Sequence, residues 1–572
     1  MNIPPLDFAF LRTQVVGIDA PFQTPFGERL MVYCDYTASG RSLHFIENYL
    51  IQLQRSYANT HTEDDITGRR MTQRLHEAEQ IIKDAVNAGP QGRIIACGTG
   101  STGAIDKFQQ LVGIACPPAT RQMLFGILGD WLGADEVDAV TYFVKACSPV
   151  VFVGPYEHHS NEVTWREGLA TVVKVQMAAD GSIDLAHLEA LLQEPAYQGR
   201  LRIGSFSAAS NVTGMISSVH EIARLLHRHG ALACFDFAAS GPYVDIDMNP
   251  PHGPDGGDPS LDAVFISPHK FLGGPGSSGV LIFNERIYQR HLAPSVGGGG
   301  TVDYVGYEEH DFTQDIEQRE KAGTPGALQT MKAALAFQVK QAVTVERIEV
   351  REQALLQRAC VKWKVNPNIE ILGNPDPARR LAIVSFNVRD GEGRYLHPKL
   401  VTTLLNDLFG IQSRAGCSCA GPYGHRLLDI DSETSERYRQ SVREGYFGIK
   451  PGWCRLGFHY VMDDLEAEYV IDAVDFIGQH GHLFTSLYAF DLRSGAWIHE
   501  RDPGMQEQFS LNDALRAVPQ GSSALAADVR RSLYARHLQE AHQWIWRLKQ
   551  NAPKAKAVLE GDLAALQFFC MP

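Results

Sequence analysis

The sequence predicts an α/β protein. It has a large domain on a mostly parallel sheet with helices on both faces, a smaller α+β domain, and an additional C-terminal segment. Three observations carry this. Short apolar runs alternate with helical spacing as far as Phe283, joined by short loops, which is the pattern of strands linked by crossover helices. Residues capable of chemistry fall at or just past the C-terminal ends of those runs, where open α/β sheets keep their ligands. Hydrophobic content of 44% and charged content of 21% in 572 residues suit a globular chain of two or three domains.

The elements follow in order. Leu30 to Ser39 reads as a short strand running into small residues, and Ser42 to Arg55 as a helix. Asn59 to His61 is polar and loop-like. Gln73 to Val86 has helical spacing in Leu75, Ala78, Ile81, Ile82 and Val86. Arg93 to Cys97 is a strand, and Gly98-Thr-Gly-Ser-Thr-Gly103 leads into a helix from Ala104 to Ile114. Small residues at a helix N-terminus can cradle a phosphate, because free N–H groups and the helix dipole favour an anion there. Gly98-x-Gly100-x-x-Gly103 also spells a dinucleotide fingerprint. That motif needs an acid about 20 residues on, and Pro117 to Gly126 contains none. A plain helix cap is the remaining alternative.

Pro149 to Gly154 is a strand followed by Glu157-His-His-Ser-Asn161. Its adjacent histidines could be metal ligands, although no second ligand cluster is evident. Alternatively one ring lies over a flat cofactor. Leu201 to Ser207 is a strand ending at Asn211, Val219 to His229 a helix, and Ala231 to Asp236 a strand closing on an acid. Ala263 to Ile266 is a buried strand that breaks into Ser267-Pro-His-Lys270 and a glycine-rich loop before a second apolar run. A desolvated lysine loses its proton more readily and can form a Schiff base; the bland alternative is a lysine at a loop edge with its amine in water. Ala327 to Arg347 reads as one long helix between domains. Beyond it come a helix to Trp363, strands near Ile369 and at Leu381 to Val388, and a helix at Pro398 to Phe409. The Cys417-x-Cys419 loop is followed by a charged segment from Asp429 to Arg443, a strand after Trp453, and helices at Asp463 to Ile477 and Ser532 to Leu548.

The net charge of -14 argues against a nucleic-acid partner. No stretch approaches a transmembrane length, and the start, Met1 to Phe8, lacks a basic and then apolar leader. Ten cysteines in a chain this long are not a disulfide framework; Cys34, Cys97, Cys147 and Cys234 sit in apolar elements. A reducing, cytoplasmic setting is expected.

Together these residues resemble the pyridoxal-phosphate enzymes of aminotransferase class V, in particular the cysteine desulfurase and selenocysteine lyase branch. The resemblance runs from about Tyr33 to Gly478. It implies fold-type I architecture, with a mostly parallel seven-stranded sheet. Its most specific piece is Ser267-Pro-His-Lys270, matching the family's Ser-x-His-Lys, so Lys270 would hold pyridoxal 5'-phosphate and move the substrate's Cα proton. His158 matches the histidine stacked on the pyridine ring, Asn211 the asparagine at the ring oxygen, and Asp236 the acid beneath the ring nitrogen. Gly100, Ser101, Thr102, Ser267 and His269 match phosphate contacts. Ala322-Gly-Thr324-Pro resembles a loop reaching the phosphate of a neighbouring subunit, which implies a homodimer. Arg414-Ala-Gly-Cys-Ser-Cys-Ala-Gly-Pro422 resembles the segment whose cysteine becomes a persulfide; Cys419 takes that place, with Cys417 an extra thiol. The alternative for the two thiols is a metal or redox pair. Arg455 matches the arginine that grips the substrate carboxylate through paired hydrogen bonds, and Asn211 and Arg414 join it around the substrate.

The chain departs from the pattern at Ala239, where desulfurases carry glutamine, in the long stretch between Cys419 and Arg455, and in the C-terminal piece. The expected domains are 1–335, carrying the cofactor; 336–480, carrying the cysteine loop and the substrate arginine; and 481–572, of no assigned role. The expected activity is conversion of L-cysteine to L-alanine with a persulfide on Cys419, with selenocysteine as another substrate and a sulfur-acceptor protein as partner. A C–S lyase, an aminotransferase or an epimerase on the same residues is the second reading. An inactive relative in a sulfur-transfer assembly is the third.

Overall fold

The computed structural model describes residues 6–60, 62, 64–253, 256–502, 504, 525–550 and 558–571. His61 of the expected polar loop and parts of the 481–572 segment lie outside these residues. The chain forms two compact units: residues 39–211 with 215–345, and residues 6–38, 212–214 and 346 onward.

The first unit is built on seven strands: β1 (Gly92–Cys97), β2 (Val150–Val153), β3 (Thr171–Lys174), β4 (Arg202–Ser207), β5 (Leu232–Asp236), β6 (Ala263–Ile266) and β7 (Gly279–Asn284). They lie in the order β1-β7-β6-β5-β4-β2-β3. Neighbours from β3 to β6 pair in parallel, Ser207 facing Asp236 across β4 and β5. β7 runs antiparallel to both β6 and β1, so β1 points the same way as the parallel strands. The apolar runs of β2 and β6 are fully buried, as strands covered on both faces must be. Phe108 packs edge-on against Trp165 and Phe265, tying the helix that follows β1 to the sheet.

Helices α1 (His44–Leu53), α2 (Ile66–Ala85) and α3 (Gly100–Leu111) follow the helical spacing. Two of them begin earlier than expected. Asp65 caps α2 by accepting a hydrogen bond from Gly68 N at 2.7 Å, and α3 starts at Gly100, so Ser101 and Thr102 sit in its first turn. Helices α4 (Pro118–Trp131) and α5 (Ala134–Cys147) form an unforeseen hairpin carrying exposed Leu124, Ile127, Trp131 and Phe143. Helix α6 (Val219–Arg228) appears as expected. The long helix expected over 327–347 is two: α7 (Ala327–Val343) and α8 (Val345–Lys364). The break is Thr344, whose φ of 72° a β-branched residue rarely adopts.

The second unit has a four-stranded antiparallel sheet of β8 (Ile369–Ile371), β9 (Ile383–Val388), β10 (Arg414–Gly416) and β11 (Trp453–Gly457), in the order β8-β9-β11-β10. Val32 and Tyr33 pair in parallel with Ile411 and Gln412, which draws the N-terminal segment onto this unit. Helix α9 (Pro398–Phe409) ends at Gly410, in the left-handed conformation. The charged segment after Asp429 folds as α11 (Ser432–Arg443), preceded by the short α10 (Gly421–Leu427). In the C-terminal segment, α13 (Ala527–Gln550) stacks Tyr534 on Tyr469 of α12 (Asp464–His480), the ring centroids 4.1 Å apart.

Candidate active site

Because β1 points the same way as the parallel strands, Gly98, His158, Asn211, Asp236 and Lys270 all stand at or just past strand ends on one edge of the first unit. Lys270 closes a single 3-10 turn, Pro268–Lys270, directly after β6. Gly40 N donates to His269 O at 2.9 Å. A Cβ on Gly40 would lie 2.0 Å from Phe271 O, so only glycine lets the backbone approach this turn.

The first turn of α3 faces the same residues. Ser101 N donates to Ser267 Oγ at 2.8 Å. Gly100 has φ +56°, and a Cβ there would lie 2.7 Å from the His269 ring. Thr102 Oγ1 and Ser160 Oγ are 2.6 Å apart. Ser160 N donates to His158 Nδ1 at 3.2 Å, which leaves the proton of a neutral ring on Nε2. Burial pushes His269 down to about 4, with Lys270 contributing in the same direction, so its ring is neutral at pH 7. Hydroxyls and backbone N–H groups at the start of a helix therefore converge with a neutral imidazole, the donor set that suits a phosphate.

Asp236 is 4% exposed. Burial raises its pKa, while Ala238 N–H, the Lys270 charge and the Ser101 hydroxyl oppose the rise. Ala238 N donates to Asp236 Oδ1 at 2.9 Å. A second buried acid, Glu157, fixes the histidine loop. Its Oε1 accepts from Ser207 N at 2.9 Å, and its Oε2 from Asn161 Nδ2 and Ser207 Oγ, both at 2.7 Å. Burial pushes Glu157 up to about 7 against these donors. Asn211 is buried in the tight loop closed by Ser210 N donating to Met215 O at 2.9 Å. Thr324 is exposed beside Gly323, whose N–H donates to Gly299 O at 2.8 Å, and Asn59 Nδ2 reaches Thr324 Oγ1 at 3.3 Å.

The second unit carries the other sequence candidates. Arg414 and Arg455 face one another across β10 and β11, and one carboxylate joins them: Arg414 Nε donates to Asp35 Oδ2 at 2.8 Å, and Arg455 Nη2 to Asp35 Oδ1 at 3.0 Å. Arg455 is 3% exposed; burial lowers its pKa and Asp35 opposes this. Asp35 had no role in the sequence reading. Its only signal was an acid at the end of a short strand, and its partners lie 379 and 420 residues away. Cys419 is exposed, close enough to Arg455 for their charges to interact, and Cys417 is half-buried. Among the described residues no group of three or more His, Cys, Asp or Glu is placed to hold a metal ion.

The sequence profile of aminotransferase class V matches residues 146–470, more than half of the chain. The chain belongs to aminotransferase class V. This is a family of pyridoxal-phosphate-dependent enzymes, and within it the relatives point to the cysteine desulfurase branch. The chain is 29% identical over 284 residues to the "Probable cysteine desulfurase" of Halalkalibacterium halodurans, covering 49% of this chain and 64% of that protein. It is 25% identical over 422 residues to the "Probable cysteine desulfurase" of Streptomyces coelicolor, covering 72% of this chain and 89% of that protein. The alignments to the H. halodurans protein and to its Halobacterium salinarum counterpart thus span 64% and 65% of those relatives, just short of two thirds. The solved cysteine desulfurase CsdA of Escherichia coli shares the fold at a TM-score of 0.59 and 20% identity, over 83% of this chain and 98% of that one. The apo cysteine desulfurase of Thermococcus onnurineus NA1 does so at 0.59 and 20%, over 78% and 94%. The class V fold accounts for the seven-stranded sheet with its antiparallel strand β7.

Proposed function

We propose that this class V protein is a cysteine desulfurase-like enzyme, converting L-cysteine to L-alanine and leaving the sulfur on Cys419. The observation that carries this reading is the loop of the second unit, where an exposed cysteine stands within electrostatic reach of the buried Arg455.

Pyridoxal 5'-phosphate fits the residues of the first unit. The phosphate would take Ser101, Thr102, Ser267 and His269 at the start of α3, where Gly100 lets the helix start approach Ser267 and the neutral His269 ring closely. His158 would cover one face of the ring, Asn211 would meet the ring oxygen, and Asp236 would keep a proton on the ring nitrogen. When bound, the cofactor withdraws electrons from the substrate's Cα. Lys270 anchors it and then takes and returns the Cα proton. Arg455 binds the substrate carboxylate, with Arg414 beside it. Cys419 Sγ, as the thiolate, attacks the substrate sulfur and becomes the persulfide. Thr324, exposed on its loop, would complete the phosphate site of a second subunit in a homodimer. A protein sulfur acceptor and a cytoplasmic setting belong to the same reading; among the described residues no helix is long and apolar enough to cross a membrane. Selenocysteine would be handled by the same groups.

Product analysis with L-cysteine tests the activity. Alanine in step with a persulfide on Cys419 is expected, and Cys419→Ser abolishes both. Pyruvate with free sulfide, unaffected by Cys419→Ser, would identify a C–S lyase and overturn the proposal.

A further inference from the structure

Cys417 and Cys419 sit on one tight turn. Ala420 N donates to Cys417 O at 3.1 Å, closing a four-residue turn. Its two central residues, Ser418 and Cys419, have φ of 50° and 56°. Two successive left-handed residues are the signature of a type I′ turn, ordinarily made by Asn-Gly. Holding serine and cysteine in this conformation costs ~1–3 kcal/mol, the kind of strain found at working sites. The turn reverses the chain between Cys417 and Ala420 with Cys419 inside it, and Cα atoms two residues apart in so tight a turn lie roughly 5–6 Å from each other, inside the roughly 4.4–6.8 Å that a disulfide spans. Their setting differs from that of four buried thiols: burial raises the pKa of Cys34, Cys97, Cys234 and Cys454, whereas Cys419 is exposed and Cys417 half-buried, as Cys147 is exposed and Cys116 and Cys360 half-buried elsewhere.

Resting on the desulfurase reading, we propose that Cys417 resolves the persulfide on Cys419, so that the loop releases sulfide and closes into a Cys417–Cys419 disulfide. The Cys417 thiolate attacks the inner sulfur of the persulfide, the Sγ of Cys419. The bond between the two Sγ atoms forms, the bond from Cys419 Sγ to the terminal sulfur breaks, and that sulfur leaves with the electron pair as hydrosulfide. The two cysteine thiols are oxidised to the disulfide, and the sulfane sulfur is reduced to sulfide. No outside oxidant takes part. Attack on the inner sulfur is favoured because hydrosulfide is a weaker base than a cysteine thiolate and leaves faster. Arg455, within reach of Cys419, favours loss of the sulfur as an anion. A disulfide closing so small a ring on a strained turn is readily reduced, so an external dithiol resets the loop.

The test uses the full chain loaded with pyridoxal 5'-phosphate and freed of reductant, given one equivalent of L-cysteine, then quenched in acid and mapped by mass spectrometry. The wild-type protein should yield alanine and sulfide in equal amounts. Its loop peptide should be two hydrogen atoms lighter, and further turnover should wait for dithiothreitol. Cys417→Ser should release alanine in the first turnover, keep its sulfide, and carry one extra sulfur atom on Cys419. Wild-type protein that makes alanine but retains the extra sulfur, on Cys419 or on Cys417, overturns this inference and leaves the desulfurase reading standing. Absence of both alanine and persulfide from wild type and Cys417→Ser overturns the desulfurase reading, and this inference with it.

Discussion

The candidate residues of the two units hold their carboxylates in opposite ways. In the first, Asp236 and Glu157 are held mainly by neutral donors, namely backbone N–H groups, an amide and hydroxyls, and burial raises the pKa of both. In the second, Asp35 is clamped by two guanidinium groups, one on each oxygen. An acid held by neutral donors keeps an unsatisfied demand for positive charge, which a cationic ligand can meet. An acid already shared by two arginines has no such demand and instead sets the spacing of the cations. The first arrangement suits a site that receives a charged ring, and the second suits one that presents a pre-positioned pair of arginines to an anionic substrate.

Replacing the acid on which the first arrangement depends should have the largest effect. Asp236→Ala is expected to slow alanine formation by ~10³-fold, the scale of losing a preorganised electrostatic partner. Cofactor capture should survive, read as absorbance near about 420 nm and borohydride fixation on the Lys270 peptide. Near-normal turnover would show that the acid acts elsewhere. The second arrangement should fail differently. Asp35→Asn leaves two facing guanidinium groups without their shared charge, one of them buried, and should cost ~3 kcal/mol in urea denaturation. It should also raise KM for cysteine ~10-fold while changing kcat less, because the arginines lose their spacing. An unchanged KM would remove Asp35 from any part in substrate binding.

The smallest effect sharpens the contrast through pH. Glu157 has its ordinary value of 4.5 in the unfolded chain and about 7 in the folded protein. The folded protein then holds a proton that the unfolded chain has released. The stability from this group is full below about pH 4.5 and is lost as pH rises towards about 7, by ~2 kcal/mol. Glu157→Gln should flatten that slope in denaturation curves taken between about pH 5 and about pH 7.5. A slope identical to the wild type would show that its donors keep the carboxylate ionised throughout.

Much of the first unit was legible because its strands are continuous apolar runs bounded by Gly, Pro or a charged end; β1, β4, β5 and β6 fall where those runs fall. β3, an edge strand of partly exposed residues, gave no such run. The α4–α5 hairpin was missed because its large apolar residues point outward, so periodicity marks no buried face. The break at Thr344 escaped because threonine is not a breaker by composition. The candidate residues Gly98, His158, Asn211, Asp236 and Lys270 were singled out for a local reason: each stands at the end of its own strand or a few positions past it. Asp35 was not, because only contacts across most of the chain give it meaning.

That separation has a consequence for how the protein is made. Asp35 and Arg414 are 379 residues apart. At roughly 5–20 residues per second, Asp35 is joined to the chain ~20–75 s before Arg414. Through that interval Leu30, Val32 and Cys34, buried in the finished protein, have no native surface to cover them. The N-terminal segment is thus synthesised first and docked late, and until Ile411 and Gln412 arrive its apolar side chains are the kind of surface on which incompletely folded chains aggregate.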